Sequence, residues 1–507
     1  MAVSLISATY EGIDGVLINI EVDIAAGLPA FNIVGLADTS IKEAKDRVRA
    51  AIENSGYKFP LGRITVNLAP ANIRKKGSAF DLAIAIGILL ESNQIENIHK
   101  DKILYLGELS LNGDIRAING GLSGIIKAKD EGIKKVILPV ENLEECNIIS
   151  EMKIYPLNNL KEVIEFLIYD NLVAERVKKY KPKIVKSKDF SSIKGQLGAK
   201  KALITAAAGG HNIVLQGPPG SGKTILAKSM IELLPKMNFE EALESTKIYS
   251  VKGILKKGII KERPFRSPHH STTEVGLIGG GRDLKLGEIT LANNGILFLD
   301  ELLEFDKKII EALREPLERR EINISRNVGA VTYPANFIFV GAYNPCPCGN
   351  YMSRNKERLC TCSEGSIKRY ENKLSKAMKD RIDIFSFVAY ASFEELLCDS
   401  KEEINIEEAR EKVFRAIEIQ EKRFKNSNIK RNSEIGFTDI NKYIVLDNDC
   451  NDLLNKIYNN FGISSRVLHK IMKVARTLSD LDGREKISKE DIYEALGYRK
   501  NIRGEII

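Results

Sequence analysis

No apolar run in these 507 residues is long enough to cross a bilayer. The longest, Leu82 to Leu90 (LAIAIGILL), falls well short of the roughly 20 residues that a spanning helix needs. The N-terminus, Met1-Ala2-Val3-Ser4-Leu5, lacks both a basic n-region and an apolar h-region, so no signal peptide is expected. Cysteines are few and odd in number: Cys146, Cys346, Cys348, Cys360, Cys362, Cys398 and Cys450. That excludes a disulfide framework. Together these absences predict a cytoplasmic protein with no membrane partner. A dominant charge is lacking too. With 76 basic and 68 acidic residues, the net charge of +8 permits a nucleic-acid partner without arguing for one. Of the five histidines only His269 and His270 are adjacent, so no histidine metal site is expected; the pair is expected to shape a loop by hydrogen bonding.

What is present reads as about three soluble domains, at roughly 100–200 residues each. Residues 1–168 alternate strand-like and helix-like patterns. Ile64 to Leu68 and Lys134 to Leu138 read as strands, and residues 80–92 and 121–131 as helices. Residues 174–190 (AERVKKYKPKIVKSKDF) carry six lysines and no apolar period, which places a basic, solvated linker at about 169–189. From Phe190 the pattern is α/β, with strands at Ile213 to Leu215, Ile296 to Leu299 and Phe337 to Val340. Beyond Ser392 the chain turns helical and charged, with segments near 405–424, 438–446, 464–480 and 488–496. The expected division is therefore 1–168, linker 169–189, 190–392 and 393–507.

One motif fixes the chemistry. Gly217-Pro218-Pro219-Gly220-Ser221-Gly222-Lys223-Thr224 fits G-x-x-x-x-G-K-[ST] and lies between a strand and a helix, the context a phosphate-binding loop requires. Backbone N–H groups of such a loop face the phosphates of ATP, with Lys223 as a point charge and Thr224 as a hydroxyl for Mg²⁺. Ile296 to Leu299 followed by Asp300-Glu301 supplies the second half. A buried strand delivers two carboxylates to the edge where ligands sit in an open α/β sheet. Asp300 suits Mg²⁺, and Glu301 suits activation of the attacking water.

The order of these pieces resembles the AAA+ ATPases. Phe265-Arg266-Ser267-Pro268-His269-His270-Ser271, Gly279-Gly280-Gly281, Gly287 to Gly295 (GEITLANNG) and Asn344-Pro345-Cys346-Pro347-Cys348-Gly349 resemble the magnesium-chelatase-like branch, and nearly the whole chain resembles its ComM/YifB family. The resemblance implies Asn344 as sensor 1, placing the water. It implies Arg381 as an arginine finger reaching a neighbouring subunit's γ-phosphate, and Arg466 as sensor 2 on a helical lid. Where the family usually reads Ser-Gly-Pro-Leu-Leu before Asp-Arg, this chain reads Ser375-Lys376-Ala377-Met378-Lys379. Residues 61–140 resemble the proteolytic domain of Lon proteases, which shares a ribosomal-protein-type α+β fold. Alignment puts Ala79, beside Ser78, at the nucleophile's position and Leu122 at the activating lysine's. The resemblance therefore implies a non-proteolytic scaffold or DNA-handling module. The expected fold is α/β: this N-terminal module, a P-loop AAA+ domain and a C-terminal helical lid.

Four cysteines form C-x-C-x₁₁-C-x-C: Cys346, Cys348, Cys360 and Cys362. Four thiolates in two close pairs can hold tetrahedral Zn²⁺; a redox role or four free thiols are the alternatives. The engine's load is read from two places. Glu321 to Thr332 reads as a hairpin about Asn327 to Gly329, with Arg326 able to follow a phosphate backbone. The helix at 405–424 and its tail offer Arg415, Lys422, Arg423, Lys425, Lys430 and Arg431. The family implies a hexameric, ATP-driven helicase that promotes branch migration on single-stranded or branched DNA in natural transformation. A chelatase-type motor acting on a protein partner and an ATP-dependent protease are the competing functions.

Overall fold

The computed structural model describes the chain except for Met1, Ala37, Arg74, Lys76, Lys100, 186–188, 282–283, 327–328, 352–358, 391–403, 501–503, Glu505 and Ile507; the side chains of Thr39, Ser40, Lys42, Asp189, Ser325 and Arg326 are likewise not described. Cys398 and the expected boundary at 392/393 therefore lie outside the described residues. The chain forms two compact units. The first comprises 1–182 and 238–261, and the second comprises 183–237 and 262–507. Residues 238–261 thus leave the second unit's sequence to pack with the first.

The first unit is built on β1 (Val3–Glu11), β2 (Asp14–Ala25), β3 (Ala30–Val34), β4 (Arg63–Ala69), β5 (Ile103–Tyr105), β8 (Lys135–Pro139) and β9 (Lys153–Leu157), with a small ribbon of β6 (Glu108–Leu109) and β7 (Ile115–Arg116). The sheet order is β3-β4-β2-β1-β5-β8-β9. In β2 the period of two is plain: Ile18, Ile20 and Val22 are buried between exposed Asn19, Glu21 and Asp23. The helix Asp81–Glu91 is buried almost all round, which is why its sequence is continuously apolar. It lies close to the sheet at Gly87, where a Cβ would come within 2.7 Å of Val22 Cγ2.

The second unit holds a five-stranded parallel sheet in the order β11-β14-β17-β10-β18. Its strands are β10 (Ile213–Gln216), β11 (Phe265–Arg266), β14 (Ile296–Leu299), β17 (Ile338–Tyr343) and β18 (Ile384–Phe387). β10 and β14 are buried at every position, as a parallel sheet covered on both faces requires. Two ribbons lie outside it, β12 (Gly279–Gly280) with β13 (Lys285–Leu286), and β15 (Glu321–Arg326) with β16 (Gly329–Pro334). The C-terminal part is helical: Ile406–Arg423, Ile440–Tyr443, Asn448–Phe461, Ser465–Leu481 and Lys489–Gly497. One apolar cluster joins these helices to the sheet through Ala416, Ile471 and Ala475 on one side and Ile213 and Leu215 on the other. Among the described residues no helix is long and apolar enough to cross a membrane.

Candidate nucleotide site

Because the five strands are parallel, β10, β14 and β17 deliver Gly217, Asp300 and Asn344 to the same edge of the sheet. The loop after β10 is pinned at its start, where Gly217 N–H donates to Tyr343 C=O at 3.2 Å. Gly217 itself is needed there, since a Cβ would stand 2.2 Å from Val388 O. Gly220 and Gly222 adopt φ +76° and +89°, left-handed conformations that open the turn. A Cβ on either would meet nothing within 4 Å, so both face open space. The helix Lys223–Ser229 begins immediately after.

Inside this turn Lys223 Nζ donates to Gly217 O (2.7 Å), Pro218 O (2.8 Å) and Asn344 Oδ1 (3.2 Å). Burial lowers its pKa to about 8, against the opposing pull of Asp300 and Glu301. Thr224 Oγ1 donates to Asp300 Oδ2 at 2.6 Å. Ser221 Oγ is buried without a hydrogen-bond partner, an unfilled polar position inside the loop. A triphosphate and Mg²⁺ fit this chemistry. The cradle has open glycine backbone, a cation, an unpartnered hydroxyl, and a hydroxyl–carboxylate pair for the metal.

Glu301 sits in the left-handed region at φ +50°, uncommon for a residue with a Cβ and a conformation that concentrates at functional sites. Its Oε2 lies 3.2 Å from His270 Nδ1. His270 follows β11, the strand next to β14, and its ring packs on His269 at 4.1 Å. His269 caps its own loop through Ser271 Oγ at 2.8 Å, the loop-shaping role expected of the pair. The reach of His270 to Glu301 was not legible, because nothing in the sequence tells which strand β14 neighbours. The neighbouring motifs are tied the same way. Arg266 makes a two-pronged ion pair with Glu288 at 2.7 and 2.8 Å.

Among the described residues, no hydrogen bond or ion pair brings Arg381 or Arg466 to this cluster. Ser375 caps a helical turn, Lys376–Lys379, that buries Met378. Arg381 then donates to Arg314 O (3.1 Å) and Ala377 O (2.7 Å) and pairs with Glu318. It lines a cavity of about 680 Å³ with Glu311, Glu315 and Glu318. Arg466 is exposed on the first turn of Ser465–Leu481. Asp383, passed over in the sequence, is the node of this region. It accepts from Asn212 N–H at 2.9 Å and pairs with Lys470 of that helix. Burial alone would raise its pKa, but Lys470 and His211 hold it far below the usual carboxylate range.

The two candidate load-bearing regions differ. β15 and β16 pair in register from Glu321 with Pro334 to Arg326 with Gly329; the turn residues Asn327 and Val328, and the side chain of Arg326, lie outside the described residues. The basic tail, offered above as a place for the load, is partly engaged internally. Arg423 is paired with buried Asp480 and donates to Asn432 Oδ1 at 2.9 Å, and Arg431 lies 3.8 Å from Glu421.

In the first unit, Ser78 Oγ donates to Glu108 and Lys75 Nζ to Pro70 O. Ala79 is buried at the start of Asp81–Glu91, and Leu122 is buried on Gly121–Asp130. Ser123 Oγ donates to Ile13 O at 2.7 Å. The four cysteine sulfurs Cys346, Cys348, Cys360 and Cys362 all lie within 4.8 Å of one another.

A glycine-rich turn on a central parallel strand, with an Asp-Glu pair and an asparagine on neighbouring strands, defines a P-loop nucleoside triphosphatase core of the AAA+ type. The family description "Magnesium chelatase, subunit ChlI" matches residues 189–396, "Subunit ChlI of Mg-chelatase" matches 20–142, and "Magnesium chelatase, subunit ChlI C-terminal" matches 404–499. The chain is 39% identical over 505 residues to competence protein ComM of Haemophilus influenzae, covering 98% of this chain and 97% of that protein. It is 38% identical over 489 residues to the uncharacterized protein YifB of Salmonella typhimurium, covering 96% and 95%. A Lon protease of Buchnera aphidicola is 27% identical over 176 residues, 32% of this chain and 22% of that one. The chain belongs to the ComM/YifB family of magnesium-chelatase-like AAA+ proteins. Membership implies ATP and Mg²⁺ as ligands and ATP hydrolysis as the activity.

Proposed function

We propose that the chain is an ATP-driven, ring-forming DNA motor, a helicase that promotes branch migration while single strands are integrated during transformation. The observation that carries this reading is the near-complete alignment with a protein named for competence. AAA+ proteins commonly oligomerise, which supports a ring, with six subunits as the family expectation. In this reading Lys223 turns from the Gly217 and Pro218 carbonyls to the phosphates. Thr224 and Asp300 hold Mg²⁺, which when bound neutralises phosphate charge. Glu301 accepts the proton of the attacking water, Asn344 orients that water, and Arg381 of one subunit and Arg466 stabilise charge developing on the γ-phosphate. The chain divides functionally into 1–168, linker 169–189, core 190–392 and lid 393–507. The first of these is a Lon-protease-like but non-proteolytic module, supported by Ala79 and Leu122 at the positions where a nucleophile and its base belong. Cys346, Cys348, Cys360 and Cys362 hold one Zn²⁺.

The load reaches the engine through the β15–β16 hairpin, favoured over the basic tail because Arg423 is already engaged by Asp480. The test is ATPase activity of the wild-type protein on forked and three-stranded DNA at low salt, where phosphate contacts are strongest. DNA should stimulate hydrolysis. Arg326→Ala should keep basal turnover while stimulation and strand displacement fall together, with a shallower salt slope. No stimulation by either DNA, with turnover depending instead on a protein partner, would favour the chelatase-type motor.

A further inference from the structure

The cysteine cluster is not a remote appendage of the nucleotide site. β17 ends at Tyr343, whose C=O receives Gly217 N–H, and the next residue, Asn344, accepts from Lys223. Two residues further on the chain reaches Cys346, fully buried. Gly349 N–H closes a turn on Cys346 C=O at 3.0 Å, and Tyr351 N–H donates to Cys346 Sγ at 3.3 Å. Gly349, at φ +79°, lies flat against the phosphate loop. A Cβ there would stand 2.6 Å from both Cδ and Cγ of Pro219. Tyr390 Oη also donates to Pro219 O at 2.8 Å. Pro219 therefore has two neighbours outside its own loop, the cysteine turn and Tyr390.

The sulfur spacing is that of a metal site. Cys346 and Cys348 are 3.4 Å apart, Cys346 and Cys360 3.7 Å, and Cys348 and Cys360 3.6 Å. A zinc–sulfur bond of about 2.3 Å in a tetrahedron sets sulfurs about 3.8 Å apart, whereas a disulfide would bring two of them to about 2.05 Å.

We propose that Zn²⁺ on Cys346, Cys348, Cys360 and Cys362 braces the phosphate loop through Gly349 and Pro219, so that zinc occupancy sets the affinity for ATP. Without the metal, the Cys346–Gly349 segment keeps its turn hydrogen bond and the Tyr351 N–H contact to Cys346 Sγ but loses the tie to Cys360 and Cys362. Pro219 loses one of its two firm neighbours, and the loop must then be ordered by the nucleotide itself. This rests on the nucleotide-site reading given above and is independent of DNA.

The experiment measures zinc by elemental analysis and the dissociation constant of a fluorescent ATP analogue, on the full chain without DNA. The protein as purified should carry about one Zn²⁺ per chain. Stripping with the zinc chelator TPEN, which spares Mg²⁺, should weaken nucleotide binding roughly tenfold, and added Zn²⁺ should restore it. Reciprocally, bound nucleotide should slow zinc loss. Gly349→Ala should keep the zinc and still weaken nucleotide binding, because its methyl displaces Pro219. Lys223→Ala should keep the zinc and lose the nucleotide; normal binding in that variant would fault the nucleotide site and not the brace. A purified protein without zinc, or one whose nucleotide affinity is unchanged by stripping, overturns the proposal.

Discussion

Two places in this molecule set polar side chains at the start of a buried helix, and they treat them in opposite ways. At the head of Lys223–Ser229 the polar groups are left with capacity. Among the described residues Ser221 Oγ has no partner, Lys223 is held by its own loop's carbonyls, and Thr224 and Asp300 are hydrogen-bonded to each other, two oxygen groups that a cation can take over as ligands. At the head of Asp81–Glu91 the described polar groups are engaged within the protein. Ser78 donates to Glu108, Lys75 to Pro70, and Asp81 takes a two-pronged contact from Arg47 at 2.7 and 3.2 Å. Burial holds Asp81's pKa up at about 6, with Arg47 pulling against it. Unmet hydrogen-bonding capacity in a buried loop is expensive unless a ligand completes it. The first site is thus arranged for a guest, and the second for stability.

The sharpest way to break this comparison is at Glu301 and Lys223. Glu301→Gln should bind ATP normally and lose hydrolysis by about 10²–10⁴-fold, the worth of a general base. Lys223→Ala should not bind at all. Normal turnover in Glu301→Gln removes that residue as the base. Next, Arg381→Ala should lower turnover by on the order of 10³-fold and be rescued in mixed assemblies whose partner subunits keep the arginine. An equal loss in a forced monomer would mean that Arg381 acts within its own subunit or, through its bonds to Arg314 and Ala377, is structural.

A subtler measurement uses the pKa of Lys223, which burial lowers to about 8. Phosphate oxygens favour the charged ammonium, so binding should raise this pKa. The protein should therefore take up a fraction of a proton on binding ATP near pH 8–9 and little near pH 6. Affinity should fall as pH rises through about 8. Calorimetry in buffers of different ionisation enthalpy reads this directly, and Lys223→Arg should abolish the uptake. The smallest effect belongs to the other helix. Ser78→Ala should leave the protein without peptidase activity, as before, and with ATP turnover unchanged. ATP-dependent cleavage of unfolded protein that disappears in Ser78→Ala would reverse the reading of the first unit.

Much of the second unit was legible because its signals are local. The phosphate loop, Asp300-Glu301 and the strands before them are contiguous words, and β14 runs over the four residues expected. The helix Asn448–Phe461 escaped notice because asparagine-rich sequence is a poor helix former. Its buried stripe, Cys450, Leu454 and Ile457, is decided by packing. β2 alternates cleanly and pairs with its neighbour β1 across a two-residue turn, yet its pairing with β4 depends on residues far along the chain. The same holds for His270 beside Glu301, and for Asp383 beneath Lys470. Each is a contact between elements whose adjacency only the sheet order and the lid's packing create.

That last contact has a mechanical consequence. The segment bearing Arg381 hangs from the lid. Lys470 donates to Arg381 C=O at 3.3 Å and pairs with Asp383, while Arg499, just beyond the last lid helix, donates to Ile382 C=O at 2.5 Å. Arg466 stands one helical turn before Lys470 on the same rod. If Arg466 engages the nucleotide as proposed, any shift of that helix on binding would be passed to the Arg381 segment through Lys470, like a crank turning a pawl. Should Arg381 serve a neighbouring subunit, as proposed, the same tie would link the state of one nucleotide site to the arginine offered to the next.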